Sequence, residues 1–258
     1  MSRHGAMPRQ AIMINYIVAA LTGAFFFPHE QVIWSAPWFW PASAMGVLFY
    51  VVFRLIAKTT QSNGVAAASI ATKMSVVIPI AVGLLFLSES WNWMKLSGIA
   101  LGIIAVLLST QSEAEIKDWK WPLLAFLGSG FIDAALNLFQ VMLVDESEFP
   151  SFITTIFSFA FVTGLIHHFT FAERSISKTT YVHGAALGMV NFGSLLFILL
   201  ALNLPQFESS VIFPINNVGV VMSSSLFAFL LFKEQVTKRA LAGIGLSIAA
   251  ITLLYFSR

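Results

Sequence analysis

The sequence contains no cysteine and few charged residues. The missing cysteines exclude a disulfide framework and a thiolate metal site. Charged residues make up 10% of the 258 positions, whereas a soluble domain has about 25%. The net charge of +2 is too small to predict a nucleic-acid partner. No nucleotide-binding loop is found, and no cofactor is predicted.

Apolar residues account for 58% of the chain and form long uninterrupted runs. A transmembrane helix needs about 20 such residues, and the runs lack the alternation of barrel strands. Their length and spacing predict an all-α integral membrane protein with about nine transmembrane helices. The predicted spans are 10–27, 38–56, 64–87, 95–110, 121–143, 150–171, 180–202, 208–232 and 239–257.

The tryptophans and basic residues predict boundaries and orientation. All seven tryptophans fall at or beside span ends, where indole rings meet the headgroup layer, and they are Trp34, Trp38, Trp40, Trp91, Trp93, Trp119 and Trp121. Eleven lysines and arginines lie on one side of the predicted bundle and two, Lys95 and Arg258, on the other. Because basic loops stay cytoplasmic, residue 1 is predicted inside the cell and the C-terminus outside.

The two halves of the chain are similar to each other. A shift of 145 residues aligns 76–108 with 221–253 at ten identities in 33 positions, including Glu89 on Glu234 and Gly98 on Gly243. Equivalent spans lie five crossings apart, so the two copies point in opposite directions. Inverted repeats of this kind are typical of secondary transporters that work by alternating access. The first repeat, 10–110, has four helices, whereas the second, 121–257, has five. We interpret the missing helix as a chain start placed late, at an internal methionine; a true nine-helix protein is the alternative.

Two copies of a helix-glutamate-helix pattern, "GLLFLSES…KLSGIALGIIAVLL" and "AFLLFKEQ…ALAGIGLSIAAITLL", resemble the EamA-like transporters of the drug/metabolite transporter superfamily. The resemblance implies ten helices in two inverted repeats, here without the first helix. It also implies a secondary transporter, an exporter of a small metabolite, in a bacterial-type inner membrane. Direction, coupling to a proton or counter-ion, and oligomeric state are left open.

Lys73 is the one lysine or arginine near the middle of a predicted span. Placing a lysine near the bilayer centre costs about 2.5–3.5 kcal/mol on insertion scales. It is therefore expected to face the bundle interior, in a substrate site or in a structural ion pair. The predicted partner is Asp133, at the middle of span 121–143. A zwitterionic or anionic substrate would then compete for the pair.

Further polar residues recur at mid-span positions. Ser129, Asp133, Asn137 and Gln140 share one helical stripe that cannot face lipid. This stripe predicts either a substrate wall or interhelical hydrogen bonds. With Lys73, the predicted substrate-binding residues are Asp133, Asn137, Gln140, Asn15, Asn191, Asn216 and Asn217. Pro79 and Pro214 predict local bends in two spans that the repeat makes equivalent.

Glu89 and Glu234 each precede a predicted helix, where a carboxylate favours the positive helix end. Capping is the expected role and gating the alternative.

Together these features predict a transporter, and no enzymatic activity or metal site. A membrane receptor or assembly subunit without transport is the alternative, and an intramembrane enzyme is a third. The predicted mechanism is the rocking of one repeat against the other around Lys73 and Asp133.

Overall fold

A computed structural model describes residues 8–26, 33–109, 117–170, 178–232 and 238–257. In these ranges all regular secondary structure is helical. The α-helices are α1 (Pro8–Phe26), α2 (Phe39–Met74), α3 (Val77–Phe86), α4 (Trp93–Ser109), α5 (Lys120–Leu143), α6 (Phe149–Thr170), α7 (Lys178–Leu202), α8 (Ser209–Phe232) and α9 (Lys238–Phe256). Glu234 and Arg174 lie outside the described residues.

Four described segments are long and apolar enough to cross a membrane, and this is typical of an integral membrane protein. They are Phe39–Phe86, Lys120–Leu143, Glu146–Phe169 and Thr180–Leu202. The first is 48 residues long and contains two of the predicted spans. Gln10–Phe26, Trp93–Leu108 and Leu241–Phe256 are shorter apolar helices. The count of nine spans and the inverted repeat stay predictions.

Helix α2 continues through residues 57–63, which the sequence predicted as a loop. The change of direction comes at Gly64, whose φ of 85° and ψ of 166° break the helical path. Only glycine adopts this backbone region without strain. The boundary between the two predicted spans is therefore a single glycine rather than a loop.

The predicted span 64–87 is interrupted between Met74 and Val77, where α2 ends and α3 begins. Pro79 accounts for the break, because it has no N–H to donate to the Ser75 carbonyl. That carbonyl instead accepts a tighter bond from the Ile78 N–H at 2.9 Å. Pro214, by contrast, lies inside a continuous α8.

The chain forms two compact units. Unit 1 comprises Met1–Ala57 and Ala135–Asn203, and unit 2 comprises Lys58–Ala134 and Leu204–Arg258. These units do not coincide with the predicted repeats, 10–110 and 121–257, because each unit takes helices from both.

Unit 1 has an aromatic core between α1, α2 and α6. The Tyr16 ring is fully buried, stacks on Phe157 with centroids 5.9 Å apart, and donates its hydroxyl to the Phe49 carbonyl at 3.1 Å. Helices α1 and α7 approach closely because α7 presents glycines. A Cβ on Gly188 would lie 2.5 Å from the Asn15 backbone oxygen. This contact requires glycine at position 188.

The core of unit 2 is aliphatic. Val106 of α4 packs against Val218 and Val221 of α8. Gly98 lets α4 lie against α9, since a Cβ there would be 2.8 Å from Leu254. Gly130 lets α5 lie equally close to Ile78 of α3.

Six of the seven tryptophans fall near helix ends with different exposures. Trp34, Trp40, Trp91, Trp93 and Trp119 are 63–78% exposed, as expected for rings at a membrane boundary. Trp38 also lies beside a helix start, as predicted, but it is 1% exposed and packs edge-on against Phe152 in the core of unit 1.

Candidate functional site

The eight predicted substrate-binding residues divide between the two units. Asn15, Asn137, Gln140 and Asn191 belong to unit 1, and Lys73, Asp133, Asn216 and Asn217 belong to unit 2. The predicted residues of unit 1 are all amides, whereas those of unit 2 include a lysine and an aspartate.

In unit 1 the structure brings Asn15 and Asn191 together. The Asn191 side-chain amide donates to the Asn15 side-chain oxygen at 3.3 Å, across the close contact of α1 and α7. Asn15 is fully buried, and its own amide nitrogen has no hydrogen-bond partner. The pair joins two helices and leaves one buried donor unused.

Asn137 and Gln140 lie on the sheltered side of α5. They are 2% and 5% exposed, while Phe131, Val141 and Met142 on the same helix are more than half exposed. The Asn137 amide nitrogen and the Gln140 side-chain oxygen have no partner. Buried polar atoms without partners are uncommon and often mark a place for water or a ligand.

In unit 2, Lys73 lies in the last turn of α2, directly before the interruption. Carbonyls at the end of a helix lack intrahelical donors. The Asn217 side-chain amide of α8 supplies one, donating to the Lys73 carbonyl at 3.0 Å. Asn216 is exposed, because adjacent helical positions face different sides. Only Asn217 of the asparagine pair therefore contacts Lys73.

Lys73 and Asn217 are among the residues that line a small open cleft in unit 2, formed by the end of α2 together with α3, α4 and α8. The rest of its wall includes Val76, Ile80, Ile99, Ile103 and Val218. The exposed surface of the cleft is apolar.

The predicted ion pair of Lys73 with Asp133 is not formed. Within unit 2 the one ion pair among described residues joins Lys95 to Glu208. Asn63 joins α2 to the start of α5. Its side-chain amide donates to the Asp118 carbonyl, and its side-chain oxygen accepts from the N–H groups of Lys117 and Asp118. Asn63 of α2 therefore lies beside the residues that precede α5.

Gly130 of α5 packs closely against Ile78 of α3. Lys73 lies five residues before Ile78, and Asp133 lies three residues after Gly130. Lys73 therefore precedes the Ile78–Gly130 contact along the chain, whereas Asp133 follows it. The relative placement of the two helices could not be predicted from the sequence.

A crossed set of carboxylate contacts joins the loops 87–92 and 203–208. Glu89 accepts hydrogen bonds from the Ser209 N–H at 2.9 Å, the Ser209 hydroxyl at 2.5 Å and the Ser210 N–H at 2.9 Å. In return, Glu208 accepts from the Ser90 N–H and hydroxyl, each at 3.0 Å. We call this set of reciprocal contacts the crossed clamp. Its members are Glu89, Ser90, Lys95, Glu208, Ser209 and Ser210.

Lys95 completes the crossed clamp. It is fully buried, forms an ion pair with Glu208 and donates to the Ser90 carbonyl at 2.5 Å. Burial alone would raise the pKa of Glu208, but hydrogen bonds from Lys95 and Ser90 outweigh it and lower that pKa below its usual value.

The sequence assigned Glu89 a capping role at the helix that follows it. The structure shows Glu89 at a helix start, but the helix is α8, which begins 120 positions later. Lys95 was counted only as an outer basic residue, and Glu208 was not selected. Their opposite charges at two predicted span starts are the signal that could have linked them.

Several contacts join segments that the predicted topology places on the same face. In unit 2, Asn92 donates to the Ser257 carbonyl at 2.7 Å, and the crossed clamp joins 87–92 to the start of α8. In unit 1, Asn203 donates to Glu146 at 2.8 Å. These contacts are consistent with the predicted topology, in which the joined segments lie on one face. Which face is cytoplasmic stays a prediction.

No metal site is formed by the residues that the structure describes. Within the described ranges, no three His, Asp or Glu side chains are arranged to hold a metal ion.

Comparison with known proteins supports the fold. No protein-family model matches the chain. An uncharacterized protein of Haemophilus influenzae is 26% identical over 264 aligned residues, which cover 96% of this chain and 88% of that protein. A crystal structure described only as that of a protein superposes with a TM-score of 0.75 at 10% identity, covering 98% of this chain and 90% of the other. The chain therefore shares a known fold almost end to end.

Proposed function

We propose that the protein is a secondary transporter that moves a small metabolite across a bacterial-type inner membrane by alternating access. The observation that carries this proposal is Lys73, a cation inside a membrane-length segment, at the point where the helix is interrupted. Among the described residues it has no ion-pair partner. Interrupted helices with exposed backbone groups near the bilayer centre are typical of transporter binding sites.

The polar side chains of unit 1 support the same proposal. Asn15, Asn137 and Gln140 keep unpaired polar atoms inside an apolar helical protein. A purely structural membrane bundle gains nothing from such atoms, because each unpaired group carries a desolvation cost of about 1–3 kcal/mol. A bound substrate or water recovers that cost. The resemblance to EamA-like exporters implies the outward direction. The bias of lysines and arginines predicts residue 1 in the cytoplasm and the C-terminus outside.

The test is solute counterflow in sealed proteoliposomes that contain the purified protein. Amino acids, nucleosides, sugars and short organic acids are screened in turn, with protein-free liposomes as the baseline. We expect protein-dependent exchange for one class. A correctly folded protein that exchanges no class would contradict transport and favour a membrane receptor or assembly subunit.

The residue test replaces Lys73 with methionine, which keeps the length of the side chain and removes its charge. Lys120→Met is the matched control, because Lys120 is exposed at the start of α5 and does not line the cleft. We expect exchange to fall about tenfold or more in Lys73→Met, a loss of about 1.4 kcal/mol, and to be unchanged in Lys120→Met. Unchanged exchange in a well-folded Lys73→Met protein would remove Lys73 from the mechanism.

A further inference from the structure

Helix α3 is a short segment with a non-helical joint at each end. The Ser75–Val76 turn separates it from α2, and a second joint follows Phe86. Its ten residues extend over about 15 Å. Pro79 prevents α2 and α3 from merging, because it has no N–H to donate to the Ser75 carbonyl. A helix that is bounded in this way can rotate as a rigid piece about its joints.

The joint after α3 holds a strained residue. Ser88 has a φ of 55°, and among the described residues it is the one non-glycine residue with a positive φ. Side chains disfavour this left-handed region, so such a conformation persists only where surrounding contacts hold it, and it is typical of switch regions. Those contacts are made by the next residue, Glu89, which accepts hydrogen bonds from Ser209 and Ser210 of α8. The crossed clamp therefore keeps Ser88 in a conformation that would relax on release.

The crossed clamp also holds α3 itself. A Cβ on Gly83, in the last turn of α3, would lie 2.7 Å from the Ser209 hydroxyl oxygen and 2.8 Å from each Glu89 carboxylate oxygen. The clamp consists of hydrogen bonds and one ion pair, and its Glu208 side chain is 36% exposed. Water can replace such polar contacts when the two loops separate, whereas an apolar core has no such substitute.

Helix α3 forms one wall of the unit 2 cleft, with Ile80 in the lining. The cleft has room for about one water molecule and is therefore closed to a metabolite. On the other side of the cleft, α4 packs closely against α8 and α9. The contact of Ile78 with Gly130 lies at the start of α3, where rotation about the Ser75–Val76 turn displaces it least. The wall that can move while the aliphatic core of unit 2 stays intact is thus α3.

From these observations we propose that α3 is a lid over the unit 2 cleft, hinged at Ser75–Val76 and held closed by the crossed clamp. The arrangement described above is then the closed state. Release of the strain at Ser88 offsets part of the contacts that are lost when the lid opens, so both states are accessible. This inference rests on the proposed transport function, since it names the element that would open the cleft to a solute.

The experiment measures the distance between α3 and the packed helices of unit 2. Because the chain has no cysteine, pairs of introduced cysteines can be spin-labelled without background. Phe86→Cys with Phe256→Cys compares the exposed ends of α3 and α9, and Leu107→Cys with Phe256→Cys is the reference pair on α4 and α9. Distances are recorded by pulsed electron paramagnetic resonance on purified protein in lipid nanodiscs. With the clamp intact, we expect one main distance for each pair.

Glu89→Gln should open the lid, because its amide nitrogen would face one of the N–H donors that now bind the carboxylate. We expect the ratio of long to short distances for the α3–α9 pair to rise about tenfold or more, with the α4–α9 pair unchanged. Glu146→Gln is the matched control, since Glu146 is an exposed carboxylate of unit 1 outside the clamp. It should change neither distance.

Two further variants test the hinge and the strain. Pro79→Ala restores an N–H that can bond to the Ser75 carbonyl, so it should stiffen the hinge and lower the long-distance fraction of Glu89→Gln severalfold. Ser88→Gly should also lower that fraction, since glycine adopts the φ of 55° found in the closed state without strain.

The outcomes separate this inference from the proposed function. A Glu89→Gln protein with a lower unfolding midpoint but unchanged distances, or one in which both pairs broaden equally, would overturn the lid even if a solute is transported. A Glu89→Gln opening that Pro79→Ala does not reduce would overturn it as well. If Glu89→Gln is poorly folded, Ser90→Ala decides, because it removes only the hydroxyl contact with Glu208 and should raise the ratio about threefold. Lid opening without flux would support the inference, and the failure would then belong to the transport proposal.

Discussion

The two units bury different kinds of polar group. Inside unit 1 the described polar residues that are fully buried are neutral amides and hydroxyls, and the half-buried Arg54 contacts His167. Unit 2 instead buries Lys95 completely against a carboxylate and holds Lys73 half-buried without one. A neutral amide is tolerated in an apolar interior with a single hydrogen bond, whereas a charge there needs a counter-charge. The close helix packing of unit 1 and the buried ion pair of unit 2 can therefore be tested separately.

The largest expected effect comes from disrupting the close packing of α1 against α7 in unit 1. Gly188→Val should destabilise the protein by about 3 kcal/mol or more, because its side chain would be forced against the backbone of Asn15. The unfolding midpoint in detergent and the yield of monodisperse protein measure this loss. Gly193→Ala on the same helix is the control, since no atom lies within 4 Å of its added Cβ. Equal midpoints for the two variants would contradict the close packing of α1 and α7.

The next effect comes from the crossed clamp. Lys95→Met should destabilise the protein by about 2 kcal/mol, because the Glu208 carboxylate and the Ser90 carbonyl lose a charged donor. The double variant Lys95→Met/Glu208→Gln should be less destabilised than the sum of the single variants, since it removes both charges. Strict additivity of the two midpoint shifts would show that the pair does not couple.

A smaller effect is expected at the bend in α2. Gly64→Ala should cost about 1 kcal/mol, because a side chain disfavours the observed φ of 85° even though the space around it is open. Gly245→Ala is the matched control in a regular helix with open space, where alanine should be neutral or stabilising. Unfolding midpoints of the two variants compare them directly. A stabilised Gly64→Ala protein would mean that α2 runs straight through residue 64.

The smallest effect is the pH dependence of the crossed clamp. The folded-state pKa of Glu208 is lowered, so its contribution is complete above the usual pKa of a glutamate and is lost as the pH falls through the lower folded-state value. The wild-type midpoint should therefore exceed that of Glu208→Gln at pH 6, and the two should converge in acid. A constant difference from pH 6 to pH 3 would contradict the ion pair.

Much of the helical framework could be predicted from the sequence, because hydrocarbon-length apolar runs are a local signal. Asn137 and Gln140 of the polar stripe on α5 are buried, and polar spacing on a helix is also a local signal. Lys95 and Glu208 were missed because their contact depends on how helices pack, over a separation of 113 positions. The predicted pair of Lys73 with Asp133 is not formed, because the sequence carries no signal for how far two neighbouring helices are shifted along their axes.

The interleaving of the two units has a consequence for biosynthesis. The chain passes from one unit to the other at 57/58, 134/135 and 203/204, so the first part of unit 2 is synthesised before unit 1 is complete. Glu89 is synthesised 120 positions before Ser209, from whose N–H it accepts a hydrogen bond. Division of the chain at 134/135 would leave both units incomplete in both fragments, and such fragments are expected to regain a native state only when co-expressed.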